Sequence, residues 1–101
     1  MPFLETAMRK WVEGKARRYL AEQFAALGKE NLLWLVDRNR SIVDFYTPEQ
    51  FAQLQPYAAM FRDADLMTWL SPETQEVLRS HPKGEAWVKD QMRLLKERLG
   101  V

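Results

Sequence analysis

The chain has 101 residues, of which 47% are hydrophobic, and its 15 basic and 14 acidic side chains leave a formal net charge of +1. This length suits one domain with a modest core, and the balanced charge produces no long-range field that would favour a nucleic acid or an acidic partner. Because the chain has no cysteine and one histidine, disulfides, thiolate nucleophiles, cysteine-ligated zinc and multi-histidine metal sites within one chain are excluded.

The first residues and the apolar runs bear on cellular location. Residues 1–5 (Met-Pro-Phe-Leu-Glu) carry neither the basic region nor the long apolar region of a secretory signal. No apolar run approaches the length of about 18 residues that a membrane span needs. We therefore expect a cytoplasmic protein without membrane association.

A long amphipathic helix is predicted over residues 3–27, followed by Gly28, which can adopt the left-handed conformation of a helix C-cap. The apolar residues recur three or four positions apart, as on one face of a helix. They are Leu4, Met8, Trp11, Val12, Ala16, Tyr19, Leu20, Phe24 and Leu27.

The apolar stripe of this helix drifts around its axis. Residues 4–11 centre on one side and residues 16–27 centre roughly a quarter turn or more away, because each step of four residues overshoots a turn by about 40°. Either the two halves pack on different partners, or the helix bends at Gly14, near the change of face. We favour the first, because one glycine costs only about 1 kcal/mol and need not break a helix.

Residues 32–46 support two predictions. A helix would place an apolar stripe on one side and leave Trp34 and Phe45 together on the opposite side. A small β-hairpin would pair residues 32–36 with residues 42–46 across a polar turn in which Asn39 is left-handed. The lack of alternation in residues 32–36 favours the helix, and the β-branched and aromatic residues at 42–46 favour the hairpin.

Further helix starts follow. Residues 47–50 (Thr-Pro-Glu-Gln) predict a capping box, with threonine as N-cap, proline at the first helical position and glutamine closing the box. Asp65 can cap a short segment, and residues 71–73 (Ser-Pro-Glu) repeat the start signal.

The last helix is predicted over residues 85–99, after the helix breakers of residues 81–84 (His-Pro-Lys-Gly). Val88, Met92, Leu95 and Leu99 form an apolar seam, and Gly100 stops the helix. Together these elements predict an all-α fold. It would be one compact domain over residues 1–101, with five or six helices of which the first and last are long.

No group of residues in the sequence predicts catalysis. His81 precedes a proline in a turn, where a solvated histidine is expected. Asp63 and Asp65 are two positions apart and do not share a helix face. The chain has no glycine-rich phosphate loop, nucleophile elbow or zinc-protease motif. We therefore expect no enzymatic activity, no cofactor and no bound metal.

An excess of aromatic residues predicts a protein interface. Four Trp, three Tyr and five Phe are many for one small core. In the helical interpretation Trp34 and Phe45 are exposed, and the drifting first helix directs its other face, with Trp11, toward a second chain. We predict an interaction module that binds a protein partner, or a second copy of itself, through an apolar and aromatic patch near these three residues.

The alternative function is DNA binding by basic rows on the first and last helices. Residues 71–99 have the spacing of a helix-turn-helix. Against this, the N-terminal turns of the second helix, which meet DNA in that motif, carry Glu85 and Asp90. The basic residues are Arg9, Lys10, Arg17 and Arg18 in the first helix and Lys89, Arg93 and Lys96 in the last.

Overall fold

The computed structural model describes the backbone of residues 2–101 and the side chains of residues 14–101. Along this backbone lie five α-helices: α1 (Pro2–Asp37), α2 (Pro48–Leu54), α3 (Leu66–Trp69), α4 (Pro72–Arg79) and α5 (Gly84–Leu99). Two 3-10 helices, Ile42–Phe45 and Gln55–Phe61, precede and follow α2. Residues 2–101 contain no strand, so the prediction of an all-α fold with long first and last helices is confirmed.

Gly28 divides α1 into two helical stretches. Its φ of 79° and ψ of 161° are non-helical and lie in a region that is essentially restricted to glycine. The positive φ agrees with the prediction, but ψ is not that of a left-handed C-cap, and the helix predicted to end at residue 27 resumes at once and continues to Asp37. Asn31 Nδ2 donates to the Leu27 carbonyl at 2.8 Å, so a side chain supplies a hydrogen-bond donor to a carbonyl at the end of the first stretch. The angles at Gly14 are helical, so the break lies at Gly28 and not at Gly14.

Neither prediction for residues 32–46 holds in full, because the helix ends at Asp37 and the hairpin does not form. Asn39 is left-handed, with φ 51°, but it caps α1 and does not turn a hairpin. Its amide donates to the Val36 carbonyl at 3.2 Å. Arg40 N donates to the Leu35 carbonyl at 2.9 Å, which completes a Schellman motif. This local closure replaces the pairing that a hairpin would require.

The predicted helix starts are confirmed. Thr47 Oγ1 accepts from Gln50 N at 3.2 Å, and Gln50 Oε1 accepts from Thr47 N at 2.8 Å, which is a capping box. Asp65 accepts from the amide of Met67 at α3, and Ser71 is the N-cap of α4. These short helices begin where side chains supply the acceptors that a helix N-terminus lacks.

One apolar core connects the helices, and α5 contributes its predicted seam to it. The indole of Trp87 in α5 meets Phe24 of α1 edge-on, with ring centroids 6.1 Å apart. The buried side chains of α5 are Trp87, Val88, Gln91, Met92, Leu95 and Leu99. Within residues 2–101, no helix combines the length and the apolar character that crossing a membrane requires.

The turn between α4 and α5 depends on a glycine. A Cβ atom at Gly84 would lie 1.7 Å from the carbonyl oxygen of Leu78, which is far inside contact distance. The start of α5 therefore lies directly against the backbone of α4. His81, in the same turn, contacts Asp37 at the end of α1.

Candidate functional site

Two large aromatic side chains lie together at the surface. Trp34 is 41% exposed and Phe45 is 55% exposed. Both line a shallow cleft of about 160 Å³ with Leu27, Asn31 and Leu35, and these five residues are named the aromatic cleft. The predicted exposure of Trp34 and Phe45 is confirmed, and their role in an interface stays a prediction.

The second stretch of α1 directs Trp34 outward. Leu32, Leu35 and Val36 lie in the core, each at most 4% exposed. Trp34 projects from another side of the same helix, because neighbouring residues point about 100° apart. The break at Gly28 allows residues 29–37 to pack by this apolar stripe without continuing the stripe of the first stretch.

Hydrogen bonds join the segment before Phe45 to α5. Gln91 is 2% exposed, and its Oε1 accepts from Ser41 Oγ at 3.0 Å and from Ile42 N at 2.9 Å. Trp87 Nε1 donates to the Arg40 carbonyl at 2.7 Å. These contacts are named the α5 anchor. Sequence reasoning missed them, although a glutamine inside an apolar seam was a signal, because buried polar groups need partners.

Arg38 lies over Trp34 at the edge of the aromatic cleft. Its guanidinium carbon is 4.6 Å from the centroid of the indole ring, which is a cation–π contact. It forms no ion pair with the side chains of residues 14–101. Sequence reasoning missed Arg38 too, although its spacing of four from Trp34 places both on one side of a helix.

Tyr46, next to Phe45, turns inward. Its ring meets the ring of Phe51 edge-on, with ring centroids 5.4 Å apart. Its hydroxyl has no hydrogen-bond partner among the described residues. Burial and, to a smaller extent, the Tyr19 phenol raise the pKa of Tyr46 above its ordinary value. Tyr46 is therefore a neutral part of the interior and does not belong to the exposed cleft.

Trp11, the third predicted interface residue, lies outside the residues whose side chains are described. The same is true of Arg9 and Lys10 in the predicted basic row. The structure therefore brings together Trp34 and Phe45, and the part assigned to Trp11 stays a prediction.

Of the predicted basic row of α1, Arg17 and Arg18 have described side chains, and both are exposed. Arg17 Nη2 donates to the Thr68 carbonyl at 3.5 Å. Its guanidinium carbon lies 5.8 Å from the centroid of the Trp69 ring. Arg17 is thus directed at α3, which it helps to hold against α1.

On α5, Arg93 is held by acidic residues of its own helix. Its Nη1 lies 2.8 Å from Glu97 Oε1, and its Nη2 lies 3.3 Å from Asp90 Oδ1. The hydrogen bond to Glu97, together with the charge of Asp90, raises the pKa of Arg93 above its ordinary value. Lys89 is exposed and Lys96 is half-buried. The basic row of α5 therefore presents less free positive charge than its sequence indicates.

His81 is a structural link, so the expectation of a solvated turn histidine is wrong. Its side chain is 16% exposed, and its Nε2 lies 2.5 Å from Asp37 Oδ1. Lys83 N donates to Nδ1 at 3.0 Å, so Nδ1 accepts and the ring proton lies on Nε2. Because both nitrogens are engaged, neither is free to act as a base in this arrangement.

Comparison of the chain with protein-family models, with curated proteins and with solved structures found no match. Within the described residues, no three or more metal-ligating side chains form a group that could hold an ion. The functional evidence is therefore the geometry of the described surface.

Proposed function

We propose that the chain is a non-enzymatic interaction module that binds a segment of another protein in the aromatic cleft. The observation that carries the proposal is the joint exposure of Trp34 and Phe45 around one concave surface. A single exposed apolar side chain is ordinary, but an apolar patch with a groove is typical of interaction sites. Tryptophan is also among the residue types that contribute most to binding at interfaces.

The cleft is supported as a preformed site. The Schellman motif fixes the end of α1 beside Trp34, and the α5 anchor fixes the segment before Phe45. A surface held in its binding geometry loses little conformational freedom when a partner docks. Both features favour recognition of a partner over a purely structural role for the two rings.

For DNA binding, the alternative from the sequence, two of the described basic residues are unfavourably placed. Arg93 is paired within α5, and Arg17 is engaged with α3. Phosphate contacts need cations that gain by leaving their solvent counterions, and a guanidinium already paired with carboxylates gains less.

The test compares the wild-type chain with a Trp34→Gln/Phe45→Gln double variant in crosslinking capture from an extract of the source cells. Val101→Ser is the matched control, because Val101 is another exposed apolar residue, 39% exposed, at the far end of the chain. We expect the double variant to fold normally and to lose the captured partner, and the control to keep it. Equal capture by all three proteins would contradict the proposal.

A further inference from the structure

We infer that the segment bound in the aromatic cleft carries a carboxylate beside an apolar anchor, so that the anchor lies between Trp34 and Phe45 while the carboxylate pairs with Arg38. The inference rests on the proposed function and names the chemistry of the partner. It follows from the exposed area of the cleft, from the cation–π contact of Arg38 with Trp34 and from the charges around the two rings.

The exposed area fits a short segment better than a second copy of the chain. Buried aromatic side chains cover about 150–250 Å² each, so the exposed parts of Trp34 and Phe45 amount to roughly 200 Å². A stable dimer buries about 800 Å² on each partner, roughly four times as much. Peptide segments that dock in grooves use a few apolar anchors, which matches the smaller area.

The guanidinium of Arg38 provides the charged part of the site. Its carbon lies over the indole of Trp34, 4.6 Å from the ring centroid, and a guanidinium carries a planar fork of N–H donors that fits a carboxylate. No carboxylate within residues 14–101 occupies this fork. An acid from the partner would pair there beside an apolar contact that excludes water, where the attraction between charges is stronger than in solvent.

Neighbouring acidic residues restrict where the partner's acid can lie. Glu30 is exposed one helical turn before Trp34, on the side away from Arg38, and Asp44 is exposed next to Phe45. A carboxylate near either would be repelled. The acid of the partner is therefore expected on one side of its apolar anchor, at Arg38.

The experiment selects binders from a displayed library of random linear peptides on the full wild-type chain. Counter-selection uses the Trp34→Gln/Phe45→Gln double variant. A parallel selection uses Arg38→Glu. The matched control is Arg62→Glu, which makes the same charge change at an exposed arginine that neither lines the aromatic cleft nor belongs to the α5 anchor. Circular dichroism and thermal melting establish that each variant is folded.

We expect the wild-type peptides to share an apolar anchor with an Asp or Glu at a constant offset on one side. In fluorescence anisotropy, Arg38→Glu should bind such a peptide about tenfold more weakly or worse, because a close charge pair becomes a repulsion. Arg62→Glu should change the affinity much less. Replacing the acid of the peptide with Lys should restore binding to Arg38→Glu but not to the wild-type chain.

Other outcomes separate the inference from the proposed function. Cleft-dependent peptides that lack the acid, or equal loss of affinity in Arg38→Glu and Arg62→Glu, would overturn the inference alone. A wild-type dimer in sedimentation velocity that disappears in the double variant would replace the short segment with a second copy. Failure to enrich any peptide that distinguishes the wild-type chain from the double variant would overturn both.

Discussion

The outer face of α5 and the aromatic cleft are both exposed to solvent, but they differ in how their charged groups are paired. On α5, Arg93 pairs with Glu97 and Asp90, so charged groups of one helix satisfy one another. At the cleft, Trp34 is exposed and Arg38 has no carboxylate partner among residues 14–101. A helix face whose charged side chains already pair with one another gains little from a partner, whereas the cleft offers both apolar area and hydrogen-bond donors. The content of charged residues is therefore a poorer guide to binding than the way they are paired.

The largest effect is expected for Gly84→Ala, which would disturb both faces at once. The new Cβ would overlap the Leu78 carbonyl, and only a shift of the α5 backbone could relieve the contact. We expect a loss of about 3 kcal/mol or more in the free energy of unfolding, measured by urea denaturation. The control is Gly14→Ala, where nothing lies within 4 Å of the added atom and the higher helix propensity should stabilise by up to about 1 kcal/mol. Equal stability of the two variants would contradict the close approach of α4 and α5.

Gln91→Ala should damage the cleft while sparing the outer face of α5. It removes the acceptor of Ser41 Oγ and leaves the buried Ile42 amide without a partner. We expect a loss of about 2–3 kcal/mol in the free energy of unfolding. Hydrogen exchange should show lost protection at Ile42. Lys89→Ala, an exposed change on the same helix, should leave both measurements nearly unaltered, and similar results for the two variants would refute the α5 anchor.

Tyr46→Phe should have a smaller effect that depends on pH. At neutral pH it removes a buried hydroxyl without a partner, so the free energy of unfolding should stay the same or rise by up to about 1 kcal/mol. The raised pKa keeps folded Tyr46 neutral above about pH 10, where the unfolded phenol ionises. The wild-type chain then binds more protons when folded, so its stability falls as pH rises by up to about 1.4 kcal/mol per pH unit.

The measurement for Tyr46 is urea denaturation of the wild-type chain and Tyr46→Phe between neutral pH and about pH 11. The advantage of the variant should widen above about pH 10. Tyr57→Phe controls for the general loss of a phenol. A constant difference between Tyr46→Phe and the wild-type chain across this range would contradict the burial argument.

The smallest effect is expected on nucleic-acid binding. A labelled DNA duplex is titrated with the wild-type chain and with Arg93→Glu/Lys96→Glu in fluorescence anisotropy at increasing salt. We expect no strong salt-dependent binding and no difference between the two proteins. Binding by the wild-type chain near 50 mM salt that falls steeply by about 200 mM, and that the double variant loses, would instead support the DNA alternative and reverse the comparison.

Local signals predicted most of the helical fold. The capping box at Thr47 and the N-caps at Asp65 and Ser71 act within a few residues, so they can be read without tertiary information. The positive φ of Gly28 was predictable for the same reason. A helix after Gly28 was one of the two predictions for residues 32–46, but its start directly after Gly28 was not predictable, because residues 29–37 are held by core contacts of Leu32, Leu35 and Val36 and not by a start signal of their own.

The candidate site was predictable only in part. Helical phase alone places Trp34 opposite the core side of its helix, and its exposure followed from that. Phe45 was predicted to be exposed on a helix that continues through residue 46, but it lies in a separate 3-10 helix. Its position depends on Gln91, which is bonded to Ser41 across 50 positions of sequence. Periodicity carries no information about a contact of that range.

The α5 anchor also determines at which stage of protein synthesis the aromatic cleft can form. Its three hydrogen bonds span 47, 49 and 50 positions of sequence, and all of them join residues 40–42 to residues 87 and 91. During synthesis Trp34 and Phe45 leave the ribosome well before Gln91. A nascent chain that has reached only α4 therefore carries both rings but lacks the hydrogen bonds that join the segment before Phe45 to α5. A partner that recognises the aromatic cleft would thus bind only chains whose synthesis has passed α5.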